Sequence, residues 1–87
     1  MYVILVYDIN EKRVAKALRT CRVYLNWVQN SVFEGEISEA KLKELQIRLR
    51  RITKATEDSV MIYRLRSADA FSKEIIGVEK NSADPFI

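Results

Sequence analysis

Near its start the chain carries an unbroken apolar run, Tyr2-Val3-Ile4-Leu5-Val6-Tyr7, that stops on a carboxylate, Asp8. The run is too short for a membrane helix. Its β-branched, aromatic and aliphatic residues read as a central strand covered on both faces. A charge at the end of a buried strand is costly unless it is solvated, paired or metal-bound. Asp8 therefore has two readings. Asp8-Ile9-Asn10 leads into a helical pattern, so the aspartate is a cap or turn residue, or it is a metal-binding acid.

What the chain lacks narrows the chemistry. With no histidine in 87 residues, imidazole bases, His-Asp triads and most zinc sites are excluded. The single cysteine, Cys21, allows no intrachain disulfide and no thiolate metal cluster, and its place in an apolar helical stripe makes it core. Any metal must be a hard, oxygen-liganded ion of the Mg²⁺ or Mn²⁺ class. The net charge of +3 permits nucleic acid as a partner without requiring it. No basic region precedes the first apolar run, which reads as a cytoplasmic protein without a membrane segment.

The rest of the chain is short elements in close succession. From Asn10 to about Arg22, Val14, Ala17, Leu18 and Cys21 recur at helical spacing. Lys12, Arg13, Lys16 and Arg19 take the other faces, as solvated surface or as phosphate contacts. Val23–Gln29 and Ser31–Ile37 read as extended, with a break at Asn30-Ser31. Phe33, Gly35 and Ile37 share one face of the second run, and the acids Glu34 and Glu36 the other. Gly35 inside a strand points to a bulge or a close backbone approach. Ser38 caps a second helix with Glu39 in its first turn, and Leu42, Leu45, Leu49 and Ile52 form its apolar stripe. Glu57-Asp58 is a turn before the strand Ser59–Leu65. Beyond it come a polar stretch with a helical turn over Asp69–Lys73, an apolar segment Ile75–Val78, and an ending with Pro85, Phe86 and Ile87.

The order is β-α-β-β-α-β with an extra C-terminal β segment. This is the α+β, ferredoxin-like arrangement: an antiparallel four-stranded sheet with both helices on one face. The core spans residues 1–66, and segment 67–87 completes a sheet edge or meets a partner. Apolar residues on the face without helices, and the apolar tail, predict a homodimer packed sheet on sheet.

Three blocks, YVILVYDI at 2–9, QNSVFEGEI at 29–37 and EDSVMIYRL at 57–65, resemble the small CRISPR-associated adaptation protein family, the second of the numbered Cas families. The resemblance covers residues 1–66 in register. It implies metal-dependent cleavage of RNA or DNA in some members. It also implies a homodimeric scaffold, held between dimers of the larger adaptation integrase, that supports duplex DNA. The family's metal acid maps onto Asp8, preceded by Tyr7, and Gln29, Ser31, Phe33 and Glu34 are the other block residues that map. One position departs: many members carry a basic residue where this chain has Trp27, and packing is the expected use of the indole.

One carboxylate per chain is a poor Mg²⁺ site. The reading of Asp8 as catalytic and metal-binding therefore needs Asp8 from both protomers. Lys12, Arg13, Lys16 and Arg19 are the candidate nucleic-acid contacts, directed at phosphate because nothing in the chain is a base-reading motif. Two other readings stand beside the enzyme: a non-catalytic nucleic-acid scaffold, and a small toxin-like ribonuclease, which a fold of this size can host.

Overall fold

The computed structural model describes residues 1–67, 69 and 72–80. Its elements are β1 (Tyr2–Asp8), α1 (Glu11–Tyr24), β2 (Asn26–Gln29), β3 (Val32–Glu36), α2 (Glu39–Ile52) and β4 (Ser59–Leu65). The four strands form one antiparallel sheet in the order β2-β3-β1-β4. Each βαβ crossover skips one strand, as the ferredoxin-like arrangement requires. No helix among the described residues is long and apolar enough to cross a membrane.

The strand period of two decides the layers. Val3, Leu5, Tyr7 and Ile9 of the first block are buried against Phe33, Ile37, Ala17, Cys21, Leu42, Leu45 and Leu49. Tyr2, Ile4 and Val6 point the other way and are only half-buried. Within one chain β1 is thus fully covered on a single face, although its sequence is apolar on both. Across the sheet, Met61 and Tyr63 of β4 lie opposite Val6 and Ile4 and are about half exposed. Around Ile4, Val6, Met61 and Tyr63 the helix-free face is therefore an apolar surface left partly open by the described residues.

Helix α1 runs two residues beyond the expected end, taking in Val23 and Tyr24. Their β propensity yields because Tyr24 closes the α1–α2 contact. Its hydroxyl donates to Glu44 Oε1 at 2.7 Å, and the Arg48 guanidinium lies 5.6 Å from its ring centroid. The first expected extended run consequently shrinks to Asn26–Gln29. The bulge expected at Gly35 lies on β2 instead, where the register passes from Trp27–Phe33 to Gln29–Val32. Gly35 answers to the alternative, close approach: a Cβ there would sit 3.4 Å from Asn26 Nδ2 and 3.5 Å from Leu25 Cδ2. Asn30 turns the hairpin with φ 45°, a conformation asparagine tolerates.

The caps behave as local chemistry dictates. Ser38 Oγ accepts from the Lys41 backbone N–H at 3.1 Å. Ser38→Ala is expected to cost about 1 kcal/mol, read as a lowered urea midpoint at unchanged slope. Cys21 is fully buried, and burial pushes its thiol up to about 12. In native buffer near pH 8 a thiol reagent is expected to leave Cys21 unmodified, and to label it as denaturant unfolds the chain.

Of the C-terminal segment, expected to complete a sheet edge or to meet a partner, the structure describes part within one chain. Described residues 72–80 form no strand. Lys73 Nζ is held by Glu34 Oε2 at 2.6 Å, Gly77 has φ 100°, and Ile76 and Val78 are 98% and 78% exposed. Neither edge of the chain's own sheet is extended by Ile75–Val78. The helical turn expected over Asp69–Lys73 falls partly on residues outside those described, and Pro85, Phe86 and Ile87 lie wholly outside them.

Candidate functional site

Asp8 is the last residue of β1, paired with Ser59 at the start of β4. It is exposed. It is in phase with Tyr2, Ile4 and Val6, so its carboxylate belongs to the helix-free face. It is not the cap of α1. Asn10 holds that position, its side chain accepting from the Lys12 N–H at 2.9 Å. Among the described residues the Asp8 side chain has no hydrogen bond or ion pair. The cap reading is thereby removed, and an acid open to solvent remains at the end of an otherwise apolar strand.

The loop that follows Asp8 is braced by Asp58, in the turn before β4. The Asp58 side chain is 1% exposed. Its Oδ1 accepts from Asn10 N–H at 2.9 Å and from Arg13 Nη2 at 3.0 Å. Its Oδ2 accepts from Arg13 Nε at 2.7 Å and from Lys54 N–H at 2.8 Å. The loop after β1 and the loop before β4 are thus tied through one carboxylate, beside the Asp8–Ser59 pair where the two strands meet them. Hydrogen bonds from the Arg13 guanidinium hold the Asp58 carboxyl well below the usual carboxylate range, and the backbone donors act in the same direction. The sequence signal for this was faint: an aspartate before a strand, and an arginine 45 residues away.

The candidate cations separate into two kinds. Arg13 directs Nε and Nη2 to Asp58 and reaches Glu57 Oε1 at 2.9 Å, so its donor edge is committed within the fold. Lys12, Lys16 and Arg19 are exposed and form no ion pair among the described residues. They share the outward ridge of α1. On α2, Lys41 is engaged by Glu44 and Arg48 by the Tyr24 hydroxyl, and Lys54, just beyond the helix, is engaged by Glu57.

The other block residues divide between core and surface. Tyr7 points away from Asp8 into the core, its ring centroid 6.1 Å from Phe33 and its hydroxyl pushed up by burial. Phe33 is fully buried. Ser31 contributes its carbonyl to the Tyr7 N–H at 3.1 Å. Gln29 is exposed at the end of β2, and Glu34 is engaged by Lys73. Trp27 packs against the core cluster, its Nε1 donates to the Asn30 carbonyl at 3.0 Å, and Arg22 lies over its ring at 5.8 Å. No three of His, Cys, Asp and Glu gather as a metal site among the described residues of one chain. A single Asp8 does not satisfy Mg²⁺, which takes six oxygens.

The family model described as CRISPR associated protein Cas2 matches residues 1–73. A relative from Archaeoglobus fulgidus, named CRISPR-associated endoribonuclease Cas2 2, is 55% identical over 80 residues, covering 92% of this chain and 87% of the relative. One from Thermotoga maritima, named CRISPR-associated endoribonuclease Cas2, is 53% identical over 87 residues, 100% of this chain and 99% of the relative. Among solved structures, a crystal structure of Cas2 superposes with TM-score 0.86 at 48% identity over 94% of this chain and 92% of its own. Streptococcus pyogenes Cas2 superposes with TM-score 0.79 at 31% identity, over 88% and 100%.

Proposed function

The chain belongs to the CRISPR-associated Cas2 family, and from that membership we propose that it acts in the cytoplasm as a homodimer in spacer acquisition. It hydrolyses phosphodiesters of RNA or DNA with a metal ion, Mg²⁺ or Mn²⁺, at Asp8. It also holds duplex DNA by its backbone beside the larger adaptation integrase. The observation that carries the catalytic part is the state of Asp8. It is exposed and unpaired among the described residues, and it adjoins the two loops that Asp58 ties together. Relatives named as endoribonucleases at 53–55% identity support the same part.

The second copy is what makes the metal chemically reasonable. Asp8 of each protomer would supply one carboxylate to a hard cation. When bound, the ion polarises the phosphate and makes a coordinated water more acidic. The chain's own contributions are to fix Asp8 at the strand end, to direct Lys12, Lys16 and Arg19 at the nucleic-acid backbone, and to offer Met61, Tyr63, Ile76 and Val78 for burial by the partner.

A scaffold that binds without cutting is the second reading, favoured by the unneutralised cations on α1. Cleavage of labelled single-stranded RNA and duplex DNA, measured with Mg²⁺ or Mn²⁺ and with chelator, separates the two. Metal-dependent cleavage that Asp8→Asn removes supports the enzyme. Cleavage undiminished in Asp8→Asn overturns it. Salt-dependent binding with no cleavage by the unsubstituted protein leaves the scaffold.

A further inference from the structure

The sequence nominates Arg13 as a phosphate contact and finds an indole, Trp27, where the resemblance leads one to expect a cation. Both observations resolve at Arg22. This arginine is in the last turn of α1, is exposed, and forms no ion pair among the described residues. Its guanidinium carbon lies 5.8 Å from the Trp27 ring centroid, within cation–π range. The indole is itself held, by packing on the core and by the Nε1 bond to the Asn30 carbonyl.

We propose that Arg22, positioned by the ring of Trp27, is a phosphate-binding residue that extends the Lys12–Lys16–Arg19 ridge to the β2 edge of the molecule. The proposal rests on the backbone-binding reading above and names a residue and a device within it.

With its guanidinium over the ring and no ion pair among the described residues, Arg22 keeps its N–H edge available, and that edge makes bidentate contacts to phosphate. Arg13 shows the opposite arrangement, with its edge spent on Asp58 and Glu57. A guanidinium already drawn over a fixed ring by cation–π attraction also loses less rotamer freedom when a phosphate arrives. Placement agrees. At 3.6 residues per turn, Lys12, Lys16, Arg19 and Arg22 fall within an arc of roughly 120°, with Arg13 on the far flank. From residue 12 to residue 22 the helix rises about 15 Å, the axial length of some four to five phosphates of one duplex strand. The simpler account of Arg22 is a solvated cation favoured by the helix C-terminus. It assigns no function to the ring.

The test measures binding of the full chain to a labelled duplex DNA, and separately to single-stranded RNA, across salt concentrations in chelator so that nothing is cut. For Arg22→Gln the expected slope of log affinity against log salt is shallower by about 0.9 per lost duplex contact, or about 0.7 on a single strand. Between about 50 and 200 mM salt, the fall in duplex affinity then shrinks roughly 3.5-fold per lost contact. Trp27→Leu, which keeps the charge and frees it, is expected to weaken binding with the slope retained. The Arg22→Gln/Trp27→Leu pair is expected to bind no more weakly than Arg22→Gln alone. If Arg19→Gln lowers the slope and Arg22→Gln does not, Arg22 is solvated surface and the proposal fails while backbone binding stands. If the unsubstituted protein shows no salt-dependent binding, the backbone reading fails and takes the proposal with it. Should Trp27→Leu not fold, Arg22→Gln at its exposed site still decides the phosphate contact, and Arg22→Lys, which keeps the charge without the planar guanidinium, decides the positioning: weaker binding at a retained slope supports it and parental binding overturns it.

Discussion

Replacing Asp8 by Asn is expected to lower metal-dependent phosphodiester cleavage roughly 10²–10⁴-fold and to leave the thermal midpoint nearly unchanged. The two halves of this prediction have separate causes. The change is isosteric but removes the negative charge that a hard cation requires. Because two protomers contribute to the proposed site, one substitution in the gene removes both carboxylates. Stability is indifferent because the side chain is exposed and makes no hydrogen bond or ion pair among the described residues, and substitutions of that kind stay within about 0.5 kcal/mol. Cleavage is followed on labelled RNA and DNA, and folding by circular dichroism on the same samples. A variant that cuts as fast as the parent removes Asp8 from the chemistry. A variant that is inactive but also unfolded assigns Asp8 a structural role that its surroundings do not predict.

Asp58→Ala is expected to do the reverse, lowering the thermal midpoint by about 10 °C. It leaves the Arg13 guanidinium and the backbone N–H groups of Asn10 and Lys54 without the acceptor they share. Breaking an ion pair by deleting one partner is far more damaging than never having built it. Arg13→Met is expected to fall short of this loss, since Asp58 keeps its two backbone donors. The pH dependence has a definite sign. Asp58 titrates below its ordinary value in the folded chain, so its contribution is complete above about pH 4. It is lost as acid carries the solution down through the depressed value. Acid unfolding of Asp58→Ala should therefore be flatter below about pH 4 than that of the parent. Equal acid sensitivity in the two proteins would show that another carboxylate governs the transition.

Much of this architecture is legible in residue order because it rests on short-range rules. Ser38 lies where a cap belongs, the alternation of Phe33, Gly35 and Ile37 sets the buried face of β3, and β4 begins and ends where its β-rich run does. The misjudged places are those where a distant partner outweighs a local preference. Val23 and Tyr24 are β-formers, yet α1 keeps them because Tyr24 meets Glu44 and Arg48 on the neighbouring helix. Of the two readings of Gly35, bulge or close approach, residue order alone does not choose: the bulge falls on β2, set by how Trp27 and Gln29 register against β3, and Gly35 serves the close approach.

The candidate site divides in the same way. That an acid ends the first strand, that only oxygen ligands are offered to a metal, and that one helix carries a row of cations are all properties of the sequence itself. They depend on residue type and spacing, which folding does not alter. Which carboxylate is open and which is consumed is a tertiary matter. Asp8 and Asp58 are both aspartates beside strand ends, and nothing local separates them. Only the meeting of two loops 48 residues apart shields Asp58 with Arg13 and leaves Asp8 facing solvent. The same long-range contact withdraws Arg13 from the cationic ridge, while the β2 edge brings Trp27 under Arg22. A charged group is free or engaged according to what the fold brings within about 3 Å of it, and that proximity is a property of the folded chain.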